Sequence, residues 1–187
     1  MLTAYVDESM RRRPDDHNIY AMAAIALHSV AHDDARMTLE SLRIGKNPRL
    51  HWRDESSARQ RVIADAIAAL PVAALVTVHI YDSACGTERA RRRCLERLLL
   101  ELEATGVTRV VVESRSSHQD HLDLLLVMAM RKSQAISRAI AVDWRPSCQE
   151  PLLWAADAVV SATTWWIDGH GGGFERLEER VRVVCVD

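Results

Sequence analysis

The chain has 187 residues, 48% of them hydrophobic, enough for one domain with a full core and far too apolar for a disordered segment. The formal net charge of −2 excludes a global positive field, so any attraction for a polyanion must come from local clusters such as Arg11–Arg13 and Arg89–Arg93. Each cluster reads either as a binding patch or as a solvated turn or helix face.

Leu2–Asp7 is a short apolar strand that ends in an acid, and Glu8–Asn18 is a polar turn. Ile19–Leu27 is a second strand, so the two should form a hairpin. Asp33–Leu42 reads as a helix, broken at Gly45, Asn47 and Pro48. Leu50–Trp52 is a short extended piece. Asp54 caps a helix that runs to about Leu70, where Pro71 stops it. Val72–Tyr81 is β-rich and forms the third strand.

Thr87 caps a helix of about four turns whose stripe is Cys94, Leu95, Leu98, Leu99 and Leu102, and Gly106 ends it. Thr108–Glu113 is the fourth strand, with Val110, Val111 and Val112 in a row, as in a strand buried on both faces. Ser117, with Asp120 three residues later, opens a further helix. Arg138–Asp143 is the fifth strand. Pro151 begins a helix to about Thr164, Gly169–Gly173 is a break, Phe174–Glu179 is a short helix, and Val181–Val186 is a last strand or an ordered tail.

This order predicts an α/β domain of the ribonuclease-H-like type, spanning residues 1–187. Its mixed five-stranded sheet is flanked by helices, with a helical insertion at 33–70 between strands 2 and 3 and a C-terminal tail at 169–187. Cys85, Cys94, Cys148 and Cys185 form no Cys-x-x-Cys pair. They read as reduced, mostly buried thiols of a cytoplasmic protein with no targeting segment and no membrane span.

Three acids stand where acids are unfavourable. Asp7 closes an apolar strand and Glu113 closes Val110–Val112. Strands 1 and 4, side by side and parallel, bring both to one sheet edge, where α/β proteins place their sites. Asp157 is the only charged residue between Glu150 and Asp168, among Trp154, Ala155, Ala156, Ala158, Val159 and Val160. A buried carboxylate there needs a cation, and its own helix offers no Lys or Arg. Carboxylate oxygens suit Mg²⁺ or Mn²⁺, which activate water and stabilise the leaving oxygen in phosphodiester hydrolysis.

The chain resembles the bacterial family called domain of unknown function 3800 (DUF3800). The likeness is carried by Tyr5-Val6-Asp7-Glu8-Ser9, by Leu50-His51-Trp52, and by Leu152-Leu153-Trp154-Ala155-Ala156-Asp157-Ala158-Val159. That resemblance implies a ribonuclease-H-like fold with acids on the first strand, the fourth strand and the last helix, carried here by Asp7, Glu113 and Asp157.

The secondary candidates are weaker. Glu150 is either a fourth ligand or a charge at a helix N-terminus, and Asp143 is an outer ligand or a turn residue. His51 is a proton donor, a phosphate contact or a structural histidine, and Lys46 is a phosphate contact. Ser9 lacks the surroundings of a nucleophile, His118 and His121 lack further zinc ligands, and Trp165 and Trp166 either stack bases or cover the core. The expected function is a divalent-metal-dependent nuclease, or a related phosphoryl-transfer enzyme, acting on nucleic acid. The alternative is a non-catalytic ribonuclease-H-like module that binds protein or nucleic acid.

Overall fold

The computed structural model describes all 187 residues. Six strands form one sheet: β1 (Leu2–Arg11), β2 (Asn18–His28), β3 (Ala73–Tyr81), β4 (Arg109–Glu113), β5 (Ala141–Arg145) and β6 (Val181–Val186). Their order is β5-β4-β1-β2-β3-β6. β1 pairs antiparallel with β2 and β2 with β3, whereas β4 lies parallel to β1 and β5 parallel to β4. The sheet therefore has six strands rather than the expected five. β6, expected as a strand or a tail, pairs parallel with β3 and covers what would otherwise be an open edge.

Five α-helices cover the sheet: α1 (His32–Ser41), α2 (Ser57–Ala69), α3 (Thr87–Ala104), α4 (Ser117–Lys132) and α5 (Leu152–Ile167). The segment between β2 and β3 supplies α1, α2 and a 3-10 turn at Trp52–Asp54, as the helical insertion requires. One face of the sheet packs against α5 and the insertion through Tyr5, Ala23, Ile25, Val76 and Val111. The other packs against α3 and α4 through Val6, Met22, Ala24, Val110 and Val112. This alternation along β1 and β4 follows from the period-2 placement of side chains in a strand.

α5 is buried along Leu152–Thr164 because it lies between the sheet and the insertion. α3 is amphipathic and buries Ala90, Cys94, Leu95, Leu98, Leu99 and Leu102. Gly106, at φ 82°, ends it with the left-handed turn expected of glycine.

Several expected boundaries shift. β1 runs on through Glu8–Arg11, because Arg11 and Arg13 are tied to Asp168 just beyond α5. β5 begins and ends later than Arg138–Asp143, which puts Asp143 mid-strand. The caps of α2 and α4 are Ser56 and Ser116, whose hydroxyls accept from the backbone N–H of Arg59 and Gln119. Gly86, rather than Thr87, precedes α3. Phe174–Glu179 forms two 3-10 turns rather than one helix. All four cysteines are free thiols, but only Cys94 is buried, whereas Cys148 and Cys185 are exposed. No helix is long and apolar enough to cross a membrane.

Candidate metal centre

β1 and β4 set the first part of the site. Val6 pairs with Val112 in the parallel ladder, so the next rung brings Asp7 beside Glu113 at the end of β4. Both face α5, because Tyr5 and Val111, two residues earlier on each strand, pack into the core on that side. α5 contributes Asp157 from its middle. Asp7 and Asp157 are 6% and 8% exposed, whereas the Glu113 side chain is 23% exposed. The three acids thus come from three segments far apart in sequence.

The electrostatics record this crowding. Burial is the main reason the Asp7 carboxyl is pushed well above the usual carboxylate range. The neighbouring Glu113 carboxyl adds to the shift. The charges of Glu113 and Asp157 raise it further, and Arg49 opposes them. Asp157 is also raised, again chiefly by burial, although the Trp52 N–H, His51 and Arg49 pull it back.

Asp157 Oδ2 accepts the Trp52 backbone N–H at 2.8 Å, and Ser161 Oγ donates to Oδ1 at 3.4 Å. The insertion brings cations as well. His51 Nε2 is 3.9 Å from Asp157 Oδ1, and its Nδ1 is 3.4 Å from Asp54 Oδ2. Arg49 Nη1 donates to Ser147 Oγ at 3.0 Å and reaches Glu113 Oε1 at 3.4 Å. Arg49 is the residue that the sequence reading missed. Its only signal was its spacing two residues before His51 in an extended stretch, which puts both side chains on one side.

The remaining candidates lie elsewhere. Both Glu150 oxygens are held by Arg36, at 2.9 Å from Nε and 2.9 Å from Nη2, and Oε1 also accepts the Leu152 N–H at the start of α5. A buried carboxylate so engaged anchors α1 to the start of α5 and places a negative charge at the N-terminus of α5. Asp143 pairs with Arg109, at 3.0 Å from Nε and 2.7 Å from Nη2. It stands opposite Val111, two residues before the Arg145 that faces Glu113. Lys46 is exposed in the loop after α1 and reaches neither the acids nor any ion-pair partner. Ser9 Oγ is 3.2 Å from Thr164 Oγ1. Trp165 carries Arg11 over its ring at 5.7 Å, and Trp166 stacks on Phe174.

No three His, Cys, Asp or Glu side chains are already closed into a cluster that could hold a metal ion. The donor set nevertheless fits a hard divalent cation. It is all carboxylate oxygen, and its one close guanidinium reaches Glu113 alone among the three.

No protein-family profile and no curated protein matches the sequence. Among solved structures, the chain is similar to the RNase HII of Archaeoglobus fulgidus, determined as a PCNA:RNase HII complex. The TM-score is 0.56 and the identity 16%, over 96% of this chain and 77% of that one. It is also similar to the ribonuclease H2 of Pyrococcus horikoshii OT3, with a TM-score of 0.50 and 11% identity over the same shares. At these identities the likeness concerns architecture, and on that level it is clear: the chain has the ribonuclease-H-like α/β fold.

Proposed function

We propose that this protein is a divalent-metal-dependent nuclease acting on nucleic acid, with Asp7, Glu113 and Asp157 as its metal ligands and catalytic acids. One observation carries the reading: Asp7 on β1 lies beside the end of β4, where Glu113 stands, and both face α5, which carries Asp157, so that the charges of Glu113 and Asp157 add to the effect of burial on Asp7. Crowding of this kind costs stability unless a cation relieves it. The fold of the two ribonucleases supports the same assignment, as does the resemblance to the DUF3800 family.

Mg²⁺ or Mn²⁺ bound there would supply Lewis acidity toward a phosphoryl oxygen and lower the pKa of a water. The chain's own residues do the rest. Asp7 and Asp157, fixed by burial and by the Trp52 N–H, hold the negative charge in one place. Arg49, turned from Glu113, meets a phosphate oxygen with its guanidinium. In hydrolysis water attacks phosphorus, the P–O bond to the leaving sugar breaks, and the leaving oxygen takes a proton. His51 Nε2, beside Asp157 and steadied at Nδ1 by Asp54, is positioned to give that proton. The four free thiols agree with a reducing, cytoplasmic setting.

A second reading has its own observation. Arg49 reaches Glu113 and no closed ligand cluster is present, an arrangement that suits a non-catalytic module binding protein or nucleic acid. Incubation with labelled DNA, RNA and hybrid duplex, in Mn²⁺ or in chelator, separates the two. Metal-dependent cleavage lost in Asp7→Asn and Asp157→Asn supports the nuclease. Binding without cleavage, unchanged in both variants, supports the module.

A further inference from the structure

We propose that the outer face of the first two turns of α3 is a phosphate-backbone-binding surface for nucleic acid, formed by Arg89, Arg92 and Arg93. It rests on the reading above only in taking nucleic acid as the ligand.

The first argument is what these arginines lack. α3 carries Arg89, Arg91, Arg92, Arg93 and Arg97. Arg91 is buried and held by Glu8 and Asp123, and Arg97 is held by Glu101 at 2.6 Å. Arg89, Arg92 and Arg93 are exposed, and no carboxylate lies within ion-pair distance of any of them. The nearby Glu88 is occupied by Arg115 at 2.9 Å. Arg93 Nη1 makes one contact, 3.4 Å from His79 Nε2.

The second argument is arrangement. Positions 89, 92 and 93 follow an i, i+3, i+4 pattern, so the three guanidinium groups share one helix face. Arg89 and Arg92 rim a hollow of about 460 Å³ against Leu122 and Leu125 of α4. Arg89 and Arg93 rim a second hollow of about 350 Å³ against His79, Tyr81 and Asp82. Arg89 belongs to both, so the three arginines border adjoining hollows; of the acids in those hollows, Glu88 and Asp123 are already paired with Arg115 and Arg91, and Asp82 lies beside Arg89 and Arg93 without an ion pair to either. Guanidinium is the side-chain group best matched to phosphate oxygens.

The third argument is location. β3 is antiparallel to β2 and β2 to β1, so β1, β3 and β4 run the same way. α3 starts just after the C-terminal end of β3, the end of the sheet toward which the strands carrying Asp7 and Glu113 also run, and it covers the face opposite those acids. A polyanion wrapping around this end of the sheet could touch both the start of α3 and the side that carries the acids. A lipid surface fits less well, because the apolar stripe of α3 is already spent on the sheet.

The test is fluorescence anisotropy with a labelled DNA–RNA duplex, in chelator, on the Asp7→Asn background. Without turnover or metal, its result does not depend on whether the acids cleave. The triple variant R89A/R92A/R93A is expected to bind at least about tenfold more weakly at low salt. The slope of log K against log salt should become shallower by about 2.7, roughly 0.9 for each of the three arginines. R138A/R180A, which removes exposed arginines elsewhere, should leave both unchanged, and matching circular dichroism and Tm confirm that the variants fold. Equal affinity and slope in the triple variant overturn the proposal. So does equally tight, arginine-dependent binding to anionic phosphatidylserine vesicles, which would make this face a lipid-facing surface.

Discussion

Asp7 and Asp157 are held above the usual carboxylate range, and the sign of the consequence follows from linkage. A carboxyl whose folded-state pKa is raised contributes stability that is complete below its unfolded value, near 3.9, and is lost as pH rises through the folded value. Without metal, the protein should therefore lose stability as the pH rises from about 4. Asp7→Asn removes the carboxyl pushed well above its usual range, so it is expected to be more stable than wild type at pH 7 in chelator and no more stable at pH 3. Thermal melts across pH check this. A second expectation concerns Glu150. Glu150→Ala strands Arg36, which is 31% exposed, so the loss in urea unfolding should be about 2–3 kcal/mol, below the full penalty for a buried pair. Its Mn²⁺ affinity should match wild type, whereas a fourth ligand would lower it.

At this scale the unusual settings of Asp7, Glu113 and Asp157 and the candidate His51 were legible in the sequence, and Arg49 and Arg91 were not. Asp157 stands alone in an apolar helix, and Asp7 and Glu113 end apolar strands, so each conflicts with its local pattern. Arg49 conflicts with nothing: it is a polar residue in a Gly-, Asn- and Pro-containing loop, and its partners Glu113 and Ser147 are 64 and 98 residues away. Arg91 was hidden inside an arginine run that reads as one solvated face. Only the packing of β1 and α4 against α3 separates it from its neighbours, because Glu8 and Asp123 then close around it.

Among the elements, α5 and the insertion depend on each other. Trp52 is 1% exposed, and its backbone N–H binds Asp157. Its ring lies under Gly173, where an added Cβ would meet Cζ2 at 2.6 Å and Cη2 at 2.7 Å. Gly173→Ala must displace that ring or the loop, at a cost of about 1–3 kcal/mol, read as a lower urea midpoint. Because the ring and the N–H that fixes Asp157 belong to one residue, the same variant should also weaken Mn²⁺ binding. The sequence suggested only a break at Gly169–Gly173; a close approach of backbone to Trp52 is a tertiary fact that no local pattern carries. The extension of β1 past Glu8 is of the same kind, since the anchor for Arg11 and Arg13 is Asp168, more than 150 residues on.

In the whole molecule, the element order predicted the fold because strand and helix patterns alternate clearly, and the parallel β1–β4 pairing followed from the consecutive valines. The sixth strand was ambiguous because Val181–Val186 is short and only partly buried at the sheet edge. Deleting residues 181–187 uncovers β3 far from the acids, so stability should fall while Mn²⁺ affinity is kept. The fold sets Asp7 beside the end of β4 and turns Asp157 toward the same side of the sheet, and the proposed metal would make that gathering favourable. The direct measurement is calorimetric titration of Mn²⁺ into the wild-type chain and into Asp7→Asn and Asp157→Asn. Saturable binding by the wild type, with a rise in melting stability of about 2.7 kcal/mol at a hundredfold excess over Kd, and loss of both effects in each variant, is the predicted result. Equal heats and equal melting points in all three proteins would contradict it.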